Sequence, residues 1–133
     1  MKLEILAQVL QDADAGTIGT DLFVHAMPAK VTKGVLLRNP LAGTSVNNYL
    51  PGYYRSRLQA IVRAPGHEQG DELAKIVGDA LKMEQTRRFF NDDGSLAMQI
   101  NYILPEQLPI VYPWTPANVL EWSLNFITSY VQP

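Results

Sequence analysis

Leu58-Gln59-Ala60-Ile61-Val62-Arg63 alternates as a strand does, and beyond Ala64-Pro65-Gly66 the chain changes period. Leu73, Ile76, Val77, Ala80 and Leu81 then recur at i, i+3, i+4, i+7 and i+8, a stripe that buries one face of a helix. A strand feeding a helix with a single apolar face is a packing unit. No nucleophile elbow, phosphate loop or metal cluster accompanies it, so this stretch speaks for a fold class and not for a reaction.

Upstream, residues 2–14 place Leu3, Leu6, Ala7, Leu10 and Ala13 on one helical face, and Gly16 and Gly19 mark its end. Residues 21–27 are β-prone and stop at Pro28; residues 34–38 read as a second strand, with the two expected to pair as a hairpin. Residues 39–54 are rich in Gly, Pro, Asn and Ser and have no period, which predicts a long loop.

Downstream, residues 86–90 and 95–104 flank Asn91-Asp92-Asp93-Gly94, a turn sequence that predicts another hairpin. Pro105, Pro109, Pro113 and Pro116 punctuate a connection with room for one short edge segment over residues 108–112. Residues 119–131 alternate, with Trp122, Leu124, Phe126 and Tyr130 on the side expected to be buried and Glu121, Ser123, Asn125 and Ser129 on the side expected to be wet. The expected architecture is α+β in a single domain over residues 1–133: a mainly antiparallel β-sheet covered on one face by two α-helices. The crossover helix leaves room for one parallel pair, between the strand before it and the strand after it.

At 133 residues the chain has the length of one domain, and 47% hydrophobic with 18% charged residues is a globular balance. A net charge of -2 with scattered basic residues offers no bulk attraction for nucleic acid. The absence of cysteine removes disulfides, thiolate metal sites and thiol nucleophiles. Glu4, Gln11 and Asp12 spoil the N-terminus as a signal segment, and no apolar run is long enough for a membrane span.

Several groupings invite a chemical reading. His25 with Asp21, or His67 with Glu68 and Asp71, contain acid and base types, but His67 and its acidic neighbours suit the positive end of a helix and no nucleophile stands nearby. Asp92 and Asp93 suit a turn better than a cation. Pro113-Trp114-Thr115-Pro116 has proline-x-x-proline spacing and reads first as a rigid loop. Arg55, Arg57 and Arg63 fall on one strand face, where they either meet an acidic partner or phosphate, or stand solvated. No catalytic residue, metal ligand or cofactor is assigned, and the chain is read as a protein without enzymatic activity.

In order, Leu22 to Met27 before Pro28, Gly34 to Arg38, Val62-Arg63-Ala64, the Glu72-Leu73-Ala74-Lys75-Ile76 helix, and Glu121-Trp122-Ser123-Leu124-Asn125-Phe126 before Tyr130 resemble the tail terminator or minor capsid proteins of tailed bacteriophages. The resemblance spans roughly residues 20–131. It implies a virion protein of the tail or neck, made in the host cytoplasm, that forms a ring, commonly a hexamer. Such a ring caps the tail tube and meets the head connector or a head-completion protein, while DNA passes through its lumen without sequence-specific binding; no cofactor and no membrane are implied.

A ring needs two complementary patches on each subunit. Leu41, Val46, Tyr49, Leu50, Tyr53 and Tyr54 are the expected interface residues, because apolar side chains crowd the loop. Arg55, Arg57 and Arg63 are the expected lumen-facing or partner-facing residues. Other neck or head-completion rings, and a small ligand-binding or enzymatic domain, are the alternatives.

Overall fold

The computed structural model describes residues 1–114 and 119–133, with the side chain of Trp114 also outside the description. The proline-x-x-proline pattern therefore falls partly outside the described residues. Among them are helices α1 (Leu3–Asp12) and α2 (His67–Leu81) and strands β1 (Leu22–Val24), β2 (Gly34–Arg38), β3 (Tyr53–Ala64), β4 (Arg87–Phe90), β5 (Leu96–Pro105), β6 (Ile110–Trp114) and β7 (Val119–Val131). The fold is α+β.

The strands form one sheet in the order β1-β2-β3-β7-β5-β4, with β6 also paired to β7. β3 lies along the whole of β7, from Tyr53 opposite Val131 to Ala64 opposite Leu120. The other side of β7 is shared: β6 takes its first half, Val119 to Ser123, and β5 takes its second, Phe126 to Val131.

The sheet is mixed rather than mainly antiparallel. β1 and β2 run parallel, Leu22 opposite Val35 and Val24 opposite Leu37, instead of forming a hairpin. The cause is local. His25 takes a left-handed φ of 72°, which ends β1 at once, and its N–H still donates to the Leu37 carbonyl. Residues 26–33 then carry the chain back before β2 begins. The anticipated parallel pair across α2 does not form, because β4 goes to the far edge and pairs with β5 alone.

β3 starts at Tyr53, which shortens the loop to residues 39–52 and brings Arg55, Arg57 and Arg63 onto one continuous strand. The β4–β5 hairpin turns at residues 91–95, where Gly94 has φ 86° and the Asp93 carboxylate accepts the Ser95 N–H at 2.9 Å. The Ser95 hydroxyl donates to the same carboxylate, and that bond first, then the backbone one, holds the Asp93 carboxyl below its usual range, so turn chemistry occupies it. α1 ends earlier than its glycines suggest, since Asp14 itself adopts φ 61°.

One core joins Leu3, Leu6 and Leu10 of α1, Val77 and Leu81 of α2, Leu58, Ala60 and Val62 of β3, and Trp122, Leu124, Phe126 and Tyr130 of β7. α2 buries Gly70, Ala74, Val77 and Leu81, so its buried line is turned from the one the sequence suggests: Leu73 is half-buried and Ile76 is 37% exposed. The reason is Gly70, whose missing side chain lets Trp122 fill the space beneath the helix. Leu81→Ala should therefore cost about 2–5 kcal/mol as a core truncation. Exposed Lys75→Ala should stay within about 0.5 kcal/mol. Equal shifts of the two in a urea titration would mean that the buried face is misassigned.

Candidate assembly surface

Odd-numbered residues of β3 and β7 point away from the core, onto a face expected to be half wet. The structure instead closes it with polar side chains. Glu121, Ser123 and Ser129 are buried, because β7 is flanked on both sides and its neighbours' side chains fold over it. Gln59 Nε2 donates to Ser123 Oγ at 2.8 Å, Asn125 Nδ2 to the same oxygen at 3.1 Å, and Asn101 Nδ2 to Ser129 Oγ at 3.1 Å. Pairs of this kind, two across strands and one along β7, satisfy one another and leave the face polar but partly dry.

Arg63 corrects the expectation that it faces a lumen or partner. It is 4% exposed, and its Nε donates to Glu121 Oε2 at 3.0 Å. Its Nη1 donates to the carbonyls of Pro28 and Val31, both at 3.0 Å, so it ties the β1–β2 connection to the sheet. Tyr112 of β6 completes the cluster: burial first, then the Glu121 charge and a hydrogen bond to it, push its hydroxyl above the usual tyrosine range. Arg55 and Arg57 are exposed, and Arg57 Nη2 reaches Glu106 Oε1 at 3.0 Å.

The loop over residues 39–52 runs beside Tyr53 to Leu58, the half of β3 that β2 leaves unpaired. It is a succession of turns, with Gly43 N–H on the Pro40 carbonyl and Leu50 N–H on that of Asn47, and Thr44 Oγ1 shares a 3.1 Å hydrogen bond with Ser56 Oγ. Leu41 is 92% and Tyr49 94% exposed, and Val46 and Leu50 also stand in solvent. Tyr53 and Tyr54 do not share that exposure. Ser129 Oγ donates to the Tyr53 hydroxyl at 3.2 Å, and the Tyr54 ring lies 5.3 Å from that of Tyr130. Four of the six apolar candidates thus stand in solvent, while Tyr53 lies half-buried on the polar face of β3 and Tyr54 packs against the core.

A second apolar patch is absent from the sequence reading. Leu108 is 87% exposed, and Ile110 and Val111 stand out beside it at the start of β6. Leu108 borders a groove of about 420 Å³ between α2 and β7, floored by Trp122, Leu124 and Phe126 and walled on the helix side by Asp71, Lys75, Asp79 and Lys82. Prolines at 105, 109 and 113 break any period there, so only the sequence's lack of charge over residues 107–118 hints at it.

His67 and Asp71 do meet, Nδ1 to Oδ2 at 3.3 Å, while Asp71 Oδ1 accepts the Trp122 indole N–H at 2.8 Å. Asp71 is therefore engaged in holding α2 on β7. Among the described residues, no group of three or more His, Cys, Asp or Glu is placed to hold a metal, and no helix is long and apolar enough to cross a membrane.

Comparison with known proteins adds three findings. No curated protein matches the chain in sequence. A solved chain from "Virion of native gene transfer agent (GTA) particle" shares its fold, with a TM-score of 0.53 at 18% identity, covering 94% of this chain and 85% of that one. The family described as "Bacteriophage tail terminator protein" matches residues 9–132. The loop, both apolar patches and the polar sheet face all lie inside that match, and the chain belongs to the bacteriophage tail terminator family, a structural component of the virion tail.

Proposed function

We propose that the whole chain acts as one domain that self-assembles into a ring, with six subunits as the expected number, to end the tail tube and join it to the head connector or a head-completion protein. The family match over residues 9–132 carries this reading. Exposed apolar side chains on the loop support it, because a lone soluble domain gains nothing from side chains such as Leu41 and Tyr49 at 92% and 94% exposure. Assembly takes place in the host cytoplasm and the product resides in the virion. Contact between protein surfaces, not catalysis, is its work.

In such a ring the two helices form the layer over the apolar face of the sheet. Arg55 and Arg57 stand on the opposite face, at the rim of a subunit contact or toward the lumen, where they meet passing phosphate without gripping it. Arg63 has no part in that surface, being committed to Glu121 and the β1–β2 connection. Electron microscopy of particles assembled with and without the protein tests the assignment. Tails of regulated length with a ring density at the head-proximal end are expected in its presence, and unjoined or overlong tubes in its absence. Normal joined particles without the protein would overturn it.

A further inference from the structure

The sheet order separates the two apolar patches. The loop over residues 39–52 lies on the β2 side of the central β3–β7 pair, whereas Leu108, Ile110 and Val111 lie on its β6 side. Two unlike patches on opposite flanks of one protomer do not meet by a twofold contact. They meet when copies stack head to tail, and head-to-tail contacts close into rings.

The loop lacks formal charge, since residues 39–52 contain no Asp, Glu, Lys or Arg. The groove floor is apolar, and the charges on its α2 wall stand at the solvent rim, where Lys75 pairs with Asp79, Lys82 with Glu84, and Asp71 with His67 and the Trp122 indole. An uncharged loop seated on that floor leaves those pairs at the rim and carries no ion into a dry interface. Shape agrees with charge: one patch projects as a chain of turns carrying Leu41, Val46 and Tyr49, and the other is a groove with an aromatic and aliphatic floor.

We propose that the loop of one copy of this chain seats in the groove between α2, β7 and the start of β6 of the next copy, with Leu41 and Tyr49 against Leu108 and the groove floor. This contact rests on the self-assembly proposed above and supplies its two complementary surfaces. Each protomer then uses its loop once and its groove once. Among the described residues β6 pairs with β7 alone, and its exposed Ile110 and Val111 are covered in the process, which removes an apolar strand edge from the assembled particle.

The chain has no cysteine, so thiol cross-linking reads the contact without background. Tyr49→Cys/Leu108→Cys, treated with a short bismaleimide under conditions where light scattering shows assembly, should give a ladder of covalent dimers, trimers and larger species. Either single variant should give almost none. In parallel, Tyr49→Asp and Leu108→Asp should each abolish assembly with unchanged circular dichroism, while mixing the two should restore dimers only, through the one intact loop and the one intact groove. Dimers from Tyr49→Cys alone would mean that loop meets loop, and would overturn the proposal. Rings that persist in both aspartate variants would place the interface elsewhere and leave the ring reading standing. A wild-type chain that stays monomeric even on tail tubes would bring down both.

Discussion

Glu121→Ala should destabilise the protein by about 3–5 kcal/mol, the cost of leaving a buried cation without its partner. Glu121 and Arg63 are 5% and 4% exposed and meet at 3.0 Å near one end of the β3–β7 pair. The pair itself is not a large source of stability, since taking both charges out of water offsets most of their attraction. The asymmetry lies in removing one member. Arg63 stays charged in any fold, so truncating Glu121 takes away the carboxylate that balances it, while the Pro28 and Val31 carbonyls accept from it without carrying a charge.

The reverse change, Arg63→Met, frees those carbonyls and the connection they hold. It should raise hydrogen exchange through residues 25–33 beyond what the global loss of stability explains. A double variant, Arg63→Met/Glu121→Leu, should be less destabilised than the two single changes added together, because contacting residues couple. Denaturant titration measures all three. A Glu121→Ala cost below about 1 kcal/mol would show that water reaches the guanidinium and that the site is not dry.

This pair also shows where the sequence stops being legible. The alternation of residues 119–131 is plain, and β7 has the expected bounds, but alternation tells which residues share a face and not whether that face is wet. The polar side of β7 is partly buried because side chains of β3 and β5 fold over it, and both pairings are long-range. Arg55, Arg57 and Arg63 look alike in sequence for the same reason. Only the third has an acidic cross-strand neighbour, Glu121, whereas the other two face Ser129 and Ile127.

The turn at Gly94 and the apolar line of α1 were legible because they are set within a few residues. The parallel pairing of β1 with β2 was not, since it accompanies the left-handed backbone of His25, a conformation that histidine adopts more readily than most residues but that no neighbouring glycine or turn signal marks here. The candidate surface divides in the same way. Apolar side chains in an aperiodic loop marked Leu41, Val46, Tyr49 and Leu50, whereas Leu108 sits among prolines that erase every pattern by which exposure is inferred.

Gly70→Ala should prove the most disruptive small substitution in the chain. In an exposed helix it would stabilise by about 1 kcal/mol, because alanine costs less backbone entropy than glycine. Here a Cβ would stand 1.8 Å from Trp122 Cη2 and 2.1 Å from Cζ3, distances that no side-chain contact tolerates. The indole cannot retreat easily. It is 1% exposed, and its N–H is held by Asp71 at 2.8 Å on the same helix, one residue beyond Gly70. Either α2 lifts from β7 or Trp122 leaves its place, and overpacking of this kind costs about 1–3 kcal/mol or more after relaxation.

Trp122→Ala should cost about 3–5 kcal/mol by emptying the same space. Gly70→Ala/Trp122→Leu should then be more stable than the sum of its single changes predicts, since the smaller side chain accepts the new methyl. Thermal melts of the set decide the matter: strict additivity would mean that the helix and the indole do not compete for one volume. The consequence reaches the assembly as well, because Trp122 floors the groove in which a neighbour's loop is proposed to sit. A Gly70→Ala protein that still folds should therefore lose self-association before it loses its secondary structure.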